Sequence, residues 1–185
     1  MKLWRPRMTR AATIAALVVL ATSCASTGAP TKSGGTVGTG DLTSGAAPVT
    51  ATAMICRTEA IQEIDSAVGV TATVSSPTWS DHVYSCTYGY RSGSMQLSVK
   101  ELPDPTQTDA YYHQLEVRMG DTGTVTGLGQ GAFQTTNGSV VVRKDSKVLL
   151  VDVTGLPAQF GLPPKTAGTV ALTVADVILA CWSGD

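Results

Sequence analysis

The sequence is short of several things that would announce a function. Only 15% of its 185 residues are charged and the net charge is −1, with a pI near 6.1. An unfolded polyelectrolyte and a basic nucleic-acid binder are both excluded by that balance, so no nucleic-acid partner is expected. There are two histidines, His82 and His113, and no C-x-x-C pair, which leaves no ligand set for a metal. The G-x-S-x-G, S-x-x-K and H-E-x-x-H signatures of common serine and zinc hydrolases are missing. No apolar run reaches the roughly 20 residues that a membrane-spanning helix needs. No cofactor and no catalytic residue are therefore assigned. At 185 residues the length fits one domain with appendages.

Acid is also missing from the start of the chain. No Asp or Glu precedes Asp41, whereas Lys2, Arg5, Arg7 and Arg10 lie in the first ten positions. After this basic segment comes an apolar run of about eleven residues, Ala11 to Ala21, and then small residues, the three-part layout of a secretory signal. Leu20-Ala-Thr-Ser-Cys24 resembles a bacterial lipobox, in which the cysteine receives diacylglycerol and becomes the new N-terminus. Ala21 stands where lipoboxes usually carry Leu, and Leu20 lies one step earlier. An ordinary signal peptide with an incidental Cys24 is the alternative.

Residues 25 to 50 are almost entirely Ala, Ser, Thr, Gly and Pro, without an aromatic, and bury too little apolar surface to offset the entropy of ordering. They read as a tether, which by flexible-chain scaling spans about 25 to 30 Å. Two acyl chains meet the two-signal requirement for stable anchoring. The expected organisation is thus a lipoprotein signal peptide over 1–23, a lipidated Cys24 and tether over 24–50, and a globular domain over 51–185. The protein is expected at the cell membrane, lipid-anchored on the extracytoplasmic side, with the membrane as its first partner.

Cys56, Cys86 and Cys181 remain for the exported domain. An oxidising compartment favours a disulfide, and Cys56 with Cys86 would staple the first helix to a strand. A Cys56 to Cys181 bridge and an intermolecular disulfide are the alternatives; otherwise Cys181 is a buried free thiol on the last helix.

Periodicity predicts a helix from about Glu59 to Val68 capped by Thr58, strands over 70–74, 82–90 and 95–100, and a helix from Asp104 or Thr106 to Met119. A strand around Val125 and a meander over 131–136, 139–143 and 148–153 follow, with Asn137-Gly138 as a type I′ hairpin turn. Pro157 to Pro164 reads as a loop before a final helix to Trp182. Consecutive turn-linked strands with helices between the runs imply an α+β single domain: an antiparallel sheet of about six or seven strands packed with three helices.

Lipobox, tether, Cys56-Arg-Thr-Glu-Ala, Cys86-Thr-Tyr, Gly127-Leu-Gly-Gln-Gly-Ala-Phe133 and the run VVVRKDSKVLLVDV occur in an order that resembles actinobacterial secreted lipoproteins catalogued as a domain of unknown function. The resemblance covers about residues 54 to 182. It implies an envelope lipoprotein with a Cys56 to Cys86 bridge, no established catalytic residues and no mechanism; Cys181 is outside the pattern.

Three features carry residual chemistry. Gly127-Leu-Gly129-Gln-Gly131 lacks dinucleotide spacing and precedes a strand, so a turn is expected there. Asp109 and His113, one helical turn apart, could form a carboxylate–imidazole pair, but the sequence supplies no nucleophile for it, and a solvated pair is the plainer expectation. His82, Tyr84, Cys86, Tyr88 and Tyr90 alternate along one strand, so they share a face. Tyr84, Tyr88 and Tyr90, with Phe160 from the Pro-rich loop, are the candidate ligand face; the bland reading makes the tyrosines core. The leading expectation is a non-catalytic domain that binds a protein partner or a small envelope ligand such as a lipid. A cell-wall or lipid-modifying enzyme using the His113 region, and an accessory or sensory subunit of a membrane complex, are the alternatives.

Overall fold

A computed structural model describes residues 47–182; the signal segment, Cys24 and the tether up to residue 46 lie outside the described residues. The chain forms an α+β domain on one large antiparallel sheet. Its elements are α1 (Thr50–Ala53), a 3-10 turn (Met54–Cys56), α2 (Thr58–Val68), β1 (Thr73–Val74), β2 (Thr78–Ser80), β3 (Val83–Tyr90), β4 (Gly93–Glu101), α3 (Pro105–Met119), β5 (Asp121–Thr124), β6 (Gly131–Thr135), β7 (Val140–Lys144), β8 (Lys147–Asp152), β9 (Gln159–Phe160), β10 (Lys165–Thr166) and α4 (Ala167–Trp182). The main sheet has eight strands in the order β1-β3-β4-β8-β7-β6-β5, with β2 also paired to β3, and β9 and β10 form a separate two-stranded ribbon.

Period-two alternation divides the sheet into two faces. One face aligns Cys86 with Leu97, Val151 and Val140, and next to that row Tyr84 with Val99, Leu149, Val142 and Ala132. Helices α2 and α4 cover it, burying Ala60, Ile64 and Val68 from the first and Val170, Val174 and Ile178 from the second. The opposite face aligns Ser85 with Ser98, Leu150, Val141 and Phe133. Helix α3 covers only the apolar end of that row, where Tyr112 and Leu115 pack on Phe133, Val141 and Val148. The β3–β4 end carries the polar Ser85, Thr87, Gln96 and Ser98, half-buried or exposed, which is why β4, reading MQLSVK over 95–100, alternates so cleanly.

Local chemistry accounts for most boundaries. Asp104 caps α3, accepting from the Gln107 amide at 2.8 Å, with Pro105 in the first turn, where its missing N–H costs nothing. Thr58 is the first residue of α2 and not its cap; the preceding Arg57 contributes no side-chain bond. Gly69 ends α2 at φ +74°, and a Cβ there would lie 2.2 Å from the Leu162 carbonyl oxygen, so the loop closes against backbone that only glycine admits.

The turns refine the expected strands. Gly138 has φ +89° but Asn137 has no positive φ, so the turn is not type I′; instead the Asn137 carboxamide accepts from the Ser139 amide at 3.1 Å. Asp81 and His82 both adopt positive φ, so the expected 82–90 strand starts one residue later, at Val83, and the short edge strand β2 precedes it. His82 is consequently a turn residue, its ring edge-on to Trp79, which lies opposite Tyr84 in register. The edge strand β5 lies at Asp121–Thr124, ahead of the expected Val125. Within the Pro-rich loop, β9 and β10 pair around a cis Leu162–Pro163 bond.

Candidate functional site

The tyrosine strand is held from below by the N-terminal segment. Cys56 and Cys86 form a disulfide across 30 residues, with Cα atoms 6.0 Å apart. Beside it the Tyr88 hydroxyl donates to the Ile55 carbonyl at 2.6 Å, and Tyr88 is 0% exposed. Burial, with the charges of Tyr90 and Asp65 nearby, raises the Tyr88 pKa well beyond the ordinary phenol value. Tyr90 is raised in the same way by burial and Asp65; its ring meets Phe160 edge-on at 4.7 Å between centroids. Phe160 is itself buried, at 5% exposure, and the space it shares with Ala67, Val68 and Val170 does not admit a water molecule. The structure thus brings Tyr88, Tyr90 and Phe160 together as packing in the large core, with Tyr84 half-buried against the same core. Cys181 is a buried cysteine outside the disulfide.

Helix α3 carries the second cluster. His113 Nδ1 lies 2.5 Å from Glu116 Oε2, and its Nε2 lies 3.6 Å from Asp109 Oδ1. Asp109 in turn receives a bond from Arg143 Nη1 at 2.6 Å, and the Arg143 guanidinium stands 5.8 Å from the Tyr112 ring centroid. Periodicity places these groups together: residues 109, 112, 113 and 116 fall on one side of a helix, turned toward β7. Desolvation, then Glu116, pushes the Tyr112 pKa to about 12. The hydrogen bond to Glu116 and the charges of Glu116 and Asp109 raise the His113 pKa, outweighing some desolvation and Arg143. His113 is exposed with both ring nitrogens facing carboxylates, no Ser, Thr or Cys is bonded to it among the described residues, and Arg143 links the cluster to β7.

That network makes a titration prediction. Because the folded His113 pKa is raised, the charged form is favoured below the unfolded value and the gain is lost as pH rises through the folded value. A histidine ring titration followed by NMR should give a midpoint above the ordinary imidazole value for His113, and a clearly lower midpoint in Glu116→Gln. An unchanged midpoint in the variant would show that the Glu116 bond is not the cause.

Sequence reasoning missed a third place. A cleft of about 370 Å³ opens between the Gly127–Gln130 loop, the β7–β8 turn and the last turns of α4. Lys144, Asp145 and Asp176 line it. The Gln130 carboxamide fixes the turn, accepting from the Asp145 amide at 2.9 Å and donating to its carboxylate at 3.3 Å. The only sequence signal was the Gly127-Leu-Gly129 turn, because the three walls lie about 15 and 50 residues apart along the chain.

Among the described residues, no group of His, Cys, Asp and Glu could hold a metal ion, and no helix is long and apolar enough to cross a membrane. No family model matches the chain, and no curated protein or solved structure matches it either.

Proposed function

We propose that the chain is a bacterial envelope lipoprotein, held at the extracytoplasmic side of the cell membrane through Cys24, whose domain acts by recognition at its surface and not by catalysis. The observation that carries this reading is the way the segment after the tether is fastened to the domain. The Val49 amide donates to the buried Glu101 carboxylate at 2.8 Å, the Trp182 indole donates to the Ala51 carbonyl at 2.8 Å, and Cys56 is covalently joined to β3. Three attachments within eight residues suit a domain that is held and pulled from its N-terminus. The packed tyrosine strand favours a surface binder over a carrier of a deeply enclosed ligand. The order of motifs that resembles actinobacterial lipoproteins of unknown function is consistent with the same role.

The anchor is tested by fractionation. Cys24→Ala should move the protein from the membrane fraction to the soluble fraction, because acyl burial contributes about 0.8 kcal/mol per methylene, a hold that survives washing of the membranes where a contact at the domain surface does not. Retention of Cys24→Ala in the membrane fraction would contradict it.

A further inference from the structure

We propose that the cleft between the Gly127–Gln130 loop, the β7–β8 turn and the end of α4 binds a zwitterionic amine–phosphate head group, supplied by a phospholipid of the membrane that holds the anchor. The lipid source rests on the lipoprotein reading above; the head-group chemistry rests on the cleft alone.

Charge of both signs is the first argument. Asp176 and Asp145 both line the cleft, and their carboxylates together can receive an ammonium. Lys144, the residue before Asp145, also lines the cleft and supplies a point charge for a phosphate. Among the described residues neither Lys144 nor Asp176 forms an ion pair, so these charges are not spent on one another. The turn that presents them is rigid: Asp145 is held at φ +54° by its two bonds to Gln130. A simple anion is disfavoured by two carboxylates against one ammonium. A simple cation leaves Lys144 without a partner.

Size is the second. About 370 Å³ is the liquid volume of roughly a dozen waters. That is room enough for a small polar head group.

Position is the third. Ala180 lies in the cleft wall two residues before Trp182, and Trp182 is bonded to Ala51, next to the point where the tether joins. The α4 wall of the cleft therefore lies within one helical turn of the residue that holds the N-terminal segment. From residue 24 onward the chain holds nine basic and fourteen acidic residues, which disfavours a surface of anionic lipid and leaves a zwitterionic head as the complementary one.

The test uses the protein purified from membranes in detergent and titrated with glycerophosphoethanolamine, a phosphodiester that is net neutral like the lipid head group. Amide resonances of Gly127, Gly129 and Ala180 should shift, and Asp176→Asn and Lys144→Gln should each weaken the response about tenfold, while ethanolamine alone and inorganic phosphate alone should bind far more weakly than the joined head group. Both substitutions are at the surface, and an unchanged spectrum outside the cleft certifies the fold. Absence of shifts, or variants that bind like the wild type, would overturn the site. For the source, Cys24→Ala protein should float with vesicles of phosphatidylethanolamine and phosphatidylglycerol but not with phosphatidylglycerol alone; head-group binding without this preference would overturn the lipid as the source. Failure of the anchor itself is read separately, by fractionation of the wild type.

Discussion

Cys56→Ala combined with Cys86→Ala should lower the stability of the domain by about 3 to 4 kcal/mol, the chain-entropy value for a loop of this length. The bridge closes 30 residues that contain α2, β1 and β2, none of which has a large independent core. It also sits beside the Tyr88–Ile55 bond, so its loss frees the 3-10 turn from β3 at two neighbouring points. For a domain of this size the midpoint of thermal unfolding should fall by roughly 10 to 15 °C. Both cysteines are replaced so that no free thiol is left to pair with Cys181. A fall of less than about 3 °C in a calorimetric scan would mean that hydrogen bonds and packing alone hold the N-terminal segment.

Phe133→Ala should cost about 3 to 5 kcal/mol, the range for removing a buried aromatic from a packed core. Phe133 is fully buried on the face covered by α3, against Val141 and Val148, with its ring 5.4 Å from that of Tyr112. That core is the smaller of two, so one phenyl ring is a large share of it. The cavity would lie directly beneath α3, and the Asp109–Arg143 bond at its rim cannot replace lost packing, since exposed ion pairs contribute at most about 1 kcal/mol. Urea unfolding monitored by circular dichroism measures the change. A loss below about 1 kcal/mol would show that α3 is not held by this contact.

The sheet was legible because its strands are half-buried. β4, β7 and β8 place an apolar residue at every second position, or run apolar where both faces are covered, and the turns between them contain Asn-Gly or Lys-Asp-Ser-Lys. Helix α4 was legible from Val170, Val174 and Ile178, and the Cys56–Cys86 pair from its setting between the first helix and a strand. What escaped lies where local pattern is thin. β2 is three residues long after Pro77, and its existence depends on Asp81 and His82 turning through positive φ, which neither residue type demands. β9 and β10 have two residues each and depend on the contact between Gly161 and the end of α2.

The candidate site divides in the same way. The tyrosine stripe could be placed on one face from its spacing alone, but whether that face met solvent depended on Ile55 and Phe160, which are far away in sequence. Asp109 and His113 were found as neighbours on a helix, whereas Arg143, which takes up Asp109, comes from another element. The cleft was invisible because each of its walls looks like an ordinary turn or helix end until the chain is folded.

The most direct test of the account is the intact mass of the protein extracted from membranes. A mature chain that begins at Cys24, lacks residues 1–23, and carries the added mass of a diacylglyceryl group on that residue is the result the account predicts. An unmodified Cys24, or an N-terminus at any other residue, would contradict it.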